Sequence, residues 1–230
     1  MGSARGNSIR WKVGSRQPAA STLAQQAGVS PLIAQVLLNR GISDAEAARQ
    51  FMRPTLMSLY APDMLPGVID AAKRIAQAVR NGEKIVIYGD YDVDGITATA
   101  ILWHAIRILG GAVEWYIPHR QEGYGLNEQA ITQICNEGAR LIVSVDCGIT
   151  AVEEVEIACA RGVDVIITDH HDFRPDGKLP RCLVAVHPRL PADNPAYPNP
   201  HLCGSGVALK LAWATGQQFS GGNGKVNAAL

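Results

Sequence analysis

Asp90, Asp92 and Asp94 alternate in the run DYDVDG at residues 90–95, directly after the apolar stretch IVIYG. Alternate carboxylates ahead of a glycine fit the start of a calcium loop, and equally the entry to a phosphoryl-transfer site. Two further apolar runs end in related chemistry. LIVSV leads into Asp146, and VIIT leads into Asp169, His170 and His171. Hard oxygen ligands combined with imidazole suit Mn2+ or Mg2+. Two such ions about 4 Å apart are a common device for phosphoester hydrolysis. Taken singly, an aspartate at a strand end caps the next helix, and a His-His pair is an ordinary loop. Capping does not explain three strand ends that all carry such groups, because like charges gathered in a fold need a cation.

The calcium-loop reading fails on its own count. With Asp90 as position 1, Gly95 falls correctly at position 6, but position 12 is Ile101 where a bidentate Glu belongs. A β-rich run also precedes the loop, where a helix should stand. A haloacid-dehalogenase-like phosphatase is a better rival. It places a DxDG-T run after a strand, as in DVDGIT, and uses the first Asp as nucleophile. It leaves His170 and His171 without a role.

The elements that must position these groups are legible as a rhythm. Apolar runs at 84–89, 112–118, 140–145, 163–168 and 182–186 alternate with amphipathic stretches such as GITATAILWHAIRILG and AVEEVEIACARG. This predicts an α/β fold, a mostly parallel sheet flanked by helices. In such sheets ligands bind beyond the carboxyl ends of the strands, so groups distant in sequence converge at one edge. Ahead of it, Leu23, Ala27, Ile33, Val36 and Leu37 recur at helical spacing. Ser43 with Glu46 reads as a capping box opening another short helix. Residues 1–66 therefore form a small helical region and connector, and 67–230 the larger domain. VIDAAKRIAQAVRNG opens that domain as a helix ending at Asn81-Gly82. The stretch 172–203 is proline-rich and reads as a long loop around one short strand. The opening MGSARGNS reads as disordered.

The 230 residues are 47% hydrophobic with zero net charge, enough for one large domain and an appendage. The charge is uneven. Arg5, Arg10, Lys12, Arg16, Arg40, Arg49 and Arg53 face only Asp44 and Glu46 in the first 60 residues, leaving an acidic remainder. A basic arm ahead of an acidic body suits a polyanionic partner and a cation-binding core. Cys135, Cys147, Cys159, Cys182 and Cys203 are odd in number with no CxxC pair, which argues for reduced thiols in the cytoplasm. No signal peptide and no apolar run approaching 18 residues is present, so no membrane association is expected.

GDYDVDGITATAIL, SVDCGI, TDHH and LCGSGVALKLAWA, in this order, resemble the DHH phosphoesterase superfamily. VLLNRGISDAEAARQFMRPTL and YIPHRQEGYGLN narrow the resemblance to the RecJ single-strand-specific 5′→3′ exonucleases. The resemblance covers nearly the whole chain. It implies a hydrolase that releases 5′-mononucleotides from single-stranded DNA in recombination and repair, by in-line attack of an activated water with Mn2+ or Mg2+, two ions in the full-length enzyme. Asp92, Asp94, Asp146 and His170 match metal ligands, with Asp90 in a supporting position and Asp146 as the bridge. His171 would meet the scissile phosphate or its leaving oxygen, and Asp169 would orient a histidine. Asp94, Asp146, His170 and His171 are thus the expected catalytic set.

Substrate contacts are expected from Arg120 and Tyr124, as phosphate clamp and base-stacking ring, and from Ser205 and Gly206, where a helix N-terminus would receive a phosphate. The competing readings are a loop Arg and Tyr, and close glycine packing. His187 and Arg189 follow another strand to the same edge. His187 departs from the asparagine of the RecJ pattern and receives no ligand role. Trp103 and Trp213 are assigned to the core. The resemblance further implies an N-terminal piece of a longer monomeric protein, with another metal-binding aspartate and DNA-clamping domains beyond residue 230. Helicase and single-strand-binding protein would be its partners. The rival functions are a DHH phosphodiesterase of short or cyclic nucleotides and a catalytically impaired DHH scaffold.

Overall fold

The computed structural model describes residues 14–190 and 197–220. The opening MGSARGNS, with Arg5, Arg10 and Lys12, lies outside them, as do part of the proline-rich loop and the apolar start near residue 230. The chain divides into two compact units, Met1–Leu59 and Tyr60–Leu230.

The first unit holds α1 (Ala19–Ala27), α2 (Pro31–Asn39) and α3 (Ala45–Met52). Its core is Ala20, Leu23, Ala24, Ala34, Leu37 and Ala48. Small residues dominate this core. Ile33 and Val36 belong to the expected apolar face but are exposed, because Ala34 and Leu37 take the inward positions of α2. The cap of α3 is Asp44 rather than Ser43. Its Oδ1 accepts the N–H groups of Glu46 and Ala47 at 2.9 and 3.0 Å. The Asp44 carboxylate, one residue nearer the helix, reaches both orphan donors.

The second unit is a three-layer α/β domain. β1 (Ile85–Tyr88), β2 (Val113–Tyr116), β3 (Leu141–Val145), β4 (Asp164–Thr168) and β5 (Val184–Val186) form a wholly parallel sheet of order β2-β1-β3-β4-β5. Strand residues alternate between two cores. Ile85, Ile87, Leu141, Val143 and Ile166 face α4 (Val68–Asn81), α5 (Val93–Ile108) and α8 (Gly204–Phe219). Val86, Tyr88, Ile142, Val165 and Ile167 face α6 (Glu128–Asn136) and α7 (Val152–Ala160). Both faces are covered, which is why the strands read as continuous apolar runs. α4 ends where expected, with Gly82 left-handed at φ 64°. Trp103 packs against the first of these cores, half-buried.

Register sets the row of functional groups. Tyr88 pairs with Ser144, Ser144 with Ile167, and Thr168 with Val186. Carried past the strand ends, this alignment places Asp90, Asp146, Asp169 and His187 abreast on four neighbouring strands. Among the described residues no helix is long and apolar enough to cross a membrane.

Candidate metal centre

Asp90 leaves β1 fully buried. One carboxylate oxygen accepts the Tyr91 N–H at 2.7 Å, and the other has no partner. Burial pushes this carboxyl above its usual range, and neighbouring Asp92 adds to the shift. Asp92 caps α5, with Oδ1 accepting the Gly95 N–H at 2.9 Å. Gly95 is required here, since a Cβ would stand 2.6–2.8 Å from the backbone of Asp90. The capping reading of an aspartate after a strand is therefore true of Asp92, yet its second oxygen stays free to point into the site.

Asp146 is the most unusual group. It is 0% exposed, and neither carboxylate oxygen has a hydrogen-bond partner. Its backbone is left-handed, φ 63°, a conformation that costs about 1–3 kcal/mol in a non-glycine residue and that Asp tolerates better than most. The pose is held by its own N–H donating to Thr168 O at 2.9 Å and by the Tyr124 hydroxyl donating to its carbonyl at 3.0 Å. Burial first, then the charges of Asp94 and Asp92, push the carboxyl up to about 8.

His170 brings Nε2 to 3.1 Å from Asp146 Oδ1 and 3.6 Å from Asp94 Oδ2, close to both but out of hydrogen-bond alignment with Asp146. Burial and the charge of His171 hold it below the usual imidazole value, which favours the neutral ring. His171 donates Nδ1–H to Asp169 Oδ1 at 2.7 Å, and that hydrogen bond raises it. Asp169 is wholly committed. It also accepts the N–H groups of Ile149, His170 and His171 at 2.9, 2.7 and 3.1 Å. Burial opposes its charge, but these donors outweigh it and keep the carboxyl low. Its geometry is that of an orienting acceptor with no oxygen facing the site.

Two groups of side chains can each gather ligand atoms within 4.8 Å. Asp90, Asp92 and Asp146 form one; Asp146, His170 and His171 form the other. Asp146 belongs to both. Three buried oxygens without donors, two on Asp146 and one on Asp90, are the expected signature of a cation position. The donor set of carboxylates with one or two imidazoles fits Mn2+ or Mg2+.

Asp94 stands outside both groups. Its oxygens accept the Gly204 and Ser205 N–H groups, each at 2.7 Å. Burial would raise it, but the Ser205 hydroxyl and these two amides lower it overall. This corrects the expectation for Ser205 and Gly206. The helix N-terminus that was to receive a phosphate already holds a carboxylate of the protein, which satisfies the same orphan donors. Gly206 serves packing, since a Cβ there would stand 2.5 Å from a Leu202 methyl.

Tyr124 is half-exposed, with its hydroxyl engaged in the site. Its hydroxyl donates to Asp146 O and also lies 2.9 Å from His171 Nδ1, and its ring meets His171 edge-on at 5.5 Å. The loop carrying it is pinned by Tyr88, whose hydroxyl donates to Gly125 O at 3.2 Å. Arg120 is exposed, lies 5.1 Å over the Tyr91 ring and has no carboxylate partner among the described residues. It remains available to an anion. His187 and Arg189 lie against the backbone of the His-His pair, a placement with no local signal beyond their position after a strand.

Fold and site together define an α/β domain whose sheet edge is built to hold divalent cations beside a free arginine. The chain belongs to the DHH family: the model of its N-terminal domain matches residues 84–229. Among curated proteins it is 44% identical over 208 residues to the single-stranded-DNA-specific exonuclease RecJ of Bacillus subtilis, covering 90% of this chain and 26% of that protein. It is 38% identical over 209 residues to RecJ of Thermus thermophilus, covering 90% and 29%. The crystal structure of the Thermus thermophilus RecJ in complex with Mn2+ superposes with TM-score 0.70 at 32% identity, covering 92% of this chain and 29% of that one. The chain thus spans under a third of the length of each of these relatives.

Proposed function

We propose that this chain is the cation-binding catalytic part of a cytoplasmic single-strand-specific 5′→3′ exonuclease acting in DNA recombination and repair. Residues 1–66 would be its helical region and connector, and 67–230 its DHH domain. The observation that carries the reading is Asp146, shared by two ligand groups and buried without a donor. The RecJ relatives supply the substrate class.

In this reading Asp90, Asp92 and Asp146 hold one ion, and Asp146 with His170 the other. Asp94 assists from the rim, since a carboxylate oxygen that accepts an N–H keeps a second lone pair. Mn2+ or Mg2+, when bound, supplies Lewis acidity and an acidified water. His171, its proton affinity raised by the hydrogen bond to Asp169, faces the phosphate or its leaving oxygen. Arg120 clamps a neighbouring phosphate as a charged fork, and Tyr124 lines the path while bracing Asp146. Helicase and single-strand-binding protein fit as partners that expose and present the strand.

The test is hydrolysis by the protein containing this chain, with Mn2+ and 5′-labelled single-stranded DNA, duplex DNA or a dinucleotide. Rapid release of 5′-mononucleotides from the single strand alone is expected. Cleavage of the dinucleotide alone would make it a phosphodiesterase of short nucleotides, and no cleavage of any substrate a scaffold.

The site also predicts a pH dependence. Asp146 is raised to about 8 in the folded protein, above its unfolded value near 3.9. Below about 8 it therefore holds a proton that a cation must displace. Mn2+ affinity should climb by up to about tenfold per pH unit for that proton as pH rises towards 8, then level off. Calorimetric titration across this range measures it. A flat profile would mean Asp146 binds no metal.

A further inference from the structure

The two histidines of the site are held on their N–H side by Asp169, but their carbonyls are held from elsewhere. Arg189 donates one guanidinium N–H to His170 O at 2.7 Å and another to Asp172 Oδ1, also at 2.7 Å. Fully buried His187 lies with Nε2 2.9 Å from His171 O. The Arg189 N–H donates to His187 Nδ1 at 3.0 Å, which fixes the tautomer: Nε2 carries the proton and donates to His171 O. Phe173 packs on the His187 ring at 4.7 Å between centroids. All four backbone polar groups of the His170–His171 dipeptide are thereby bound.

Resting on the metal-site reading above, we propose that Arg189 and His187 are positioning residues that set the His170 and His171 imidazoles for the metal and the phosphate. The physical reason is local. An imidazole ligand must sit within a few tenths of an ångström of its place, and its Cα is carried by a loop that has left β4. Edge strand β5 has three residues and pairs with β4 on one side. The clamp ties the loop to that strand, so a short edge strand becomes the buttress of the site. Asp172 in turn splays the guanidinium fork, so that its other arm points at His170 O.

Charge and geometry make opposite predictions here, which gives the test its sharpness. Arg189 places a positive charge beside a cation site. If charge were its only influence, Arg189→Ala would tighten Mn2+ binding. If it positions His170, the same change weakens binding about tenfold to a hundredfold, the range for lost supporting groups around a metal ligand. Arg189→Lys keeps the charge but lacks the planar fork for two partners, so it should also weaken binding, by less.

The experiment is Mn2+ titration by calorimetry of the wild-type protein, Arg189→Ala and Arg189→Lys, with amide hydrogen exchange at His170 and His171. Weaker binding in both variants, with faster exchange at these amides, is expected. Unchanged or tighter binding in a folded Arg189→Ala overturns the proposal, as does a variant that only melts earlier. Should Arg189→Ala not fold, Arg189→Lys decides alone, and wild-type affinity there overturns it. Failure of the wild-type protein to bind Mn2+ would instead refute the metal-site reading.

Discussion

Replacing Asp146 by Asn is expected to cut Mn2+ binding and hydrolysis by roughly a thousandfold or more, while the metal-free protein melts at the same or a higher temperature. The two halves share one cause. Asp146 is buried with both oxygens lacking donors, and its neighbours Asp92 and Asp94 repel its charge. An uncompensated buried carboxylate opposes folding by up to several kcal/mol. Its folded pKa lies above the unfolded one, so ionisation weakens the metal-free fold progressively as pH rises towards about 8. Asn removes the charge and keeps the shape. It also tolerates the left-handed backbone that Asp146 adopts, which Ala would not. The stability gap between variant and wild type should widen with rising pH and close or reverse when Mn2+ is added. Thermal melts with and without Mn2+, read beside nuclease rates, check this. A variant that loses activity but also melts much earlier without metal would show Asp146 to be a structural carboxylate.

Gly204→Ala should lower Mn2+ affinity at least about tenfold and destabilise the protein by about 1–3 kcal/mol, the usual cost of forcing a methyl into packed space. A Cβ on Gly204 would fall onto the Asp146 carboxylate, 2.6 Å from its Cγ. Helix α8 cannot retreat freely, because its first amides are bound to Asp94. Either Asp146 turns away or α8 withdraws and takes Asp94 with it; both pull the carboxylates from His170. Gly206→Ala is the control on the same helix. Its Cβ would meet the end of the Leu202 side chain, which can shift. It should melt slightly earlier with Mn2+ affinity intact. Equal loss of affinity in both variants would assign the effect to α8 packing in general rather than to the contact with Asp146.

Much of this site is legible in the chain. β1, β3 and β4 are short apolar runs, and their chemistry follows within three residues of the strand end, so Asp90, Asp146 and the His-His pair can be read without a partner in view. The N-cap of α3 shifts from Ser43 to Asp44 because both residue types cap helices, and only backbone geometry chooses between them. Ile33 and Val36 mislead because apolar spacing on a short helix fits more than one face, and only packing selects the face of Ala34 and Leu37. Ser205 and Gly206 mislead for a deeper reason. A free helix N-terminus and one capped from elsewhere look alike in sequence, and the capping carboxylate, Asp94, lies 110 residues away. Arg189 and His187 carry no motif, because their partners are backbone carbonyls, which every residue has.

By itself, then, the sequence determined the parallel α/β domain, the DHH identity and the kinds of ligand atom at the sheet edge. Those properties are local: apolar runs make strands, and the residues after them are carried to one edge. Only the tertiary structure decided which of those atoms are free. The register sets Asp90, Asp146 and Asp169 abreast, but Asp169 is surrounded by N–H donors and Asp146 by none. The same side chain is thus a hydrogen-bonded acceptor on one strand and an unpaired carboxylate on the next. The difference lies in which backbone amides the packing brings within 3 Å.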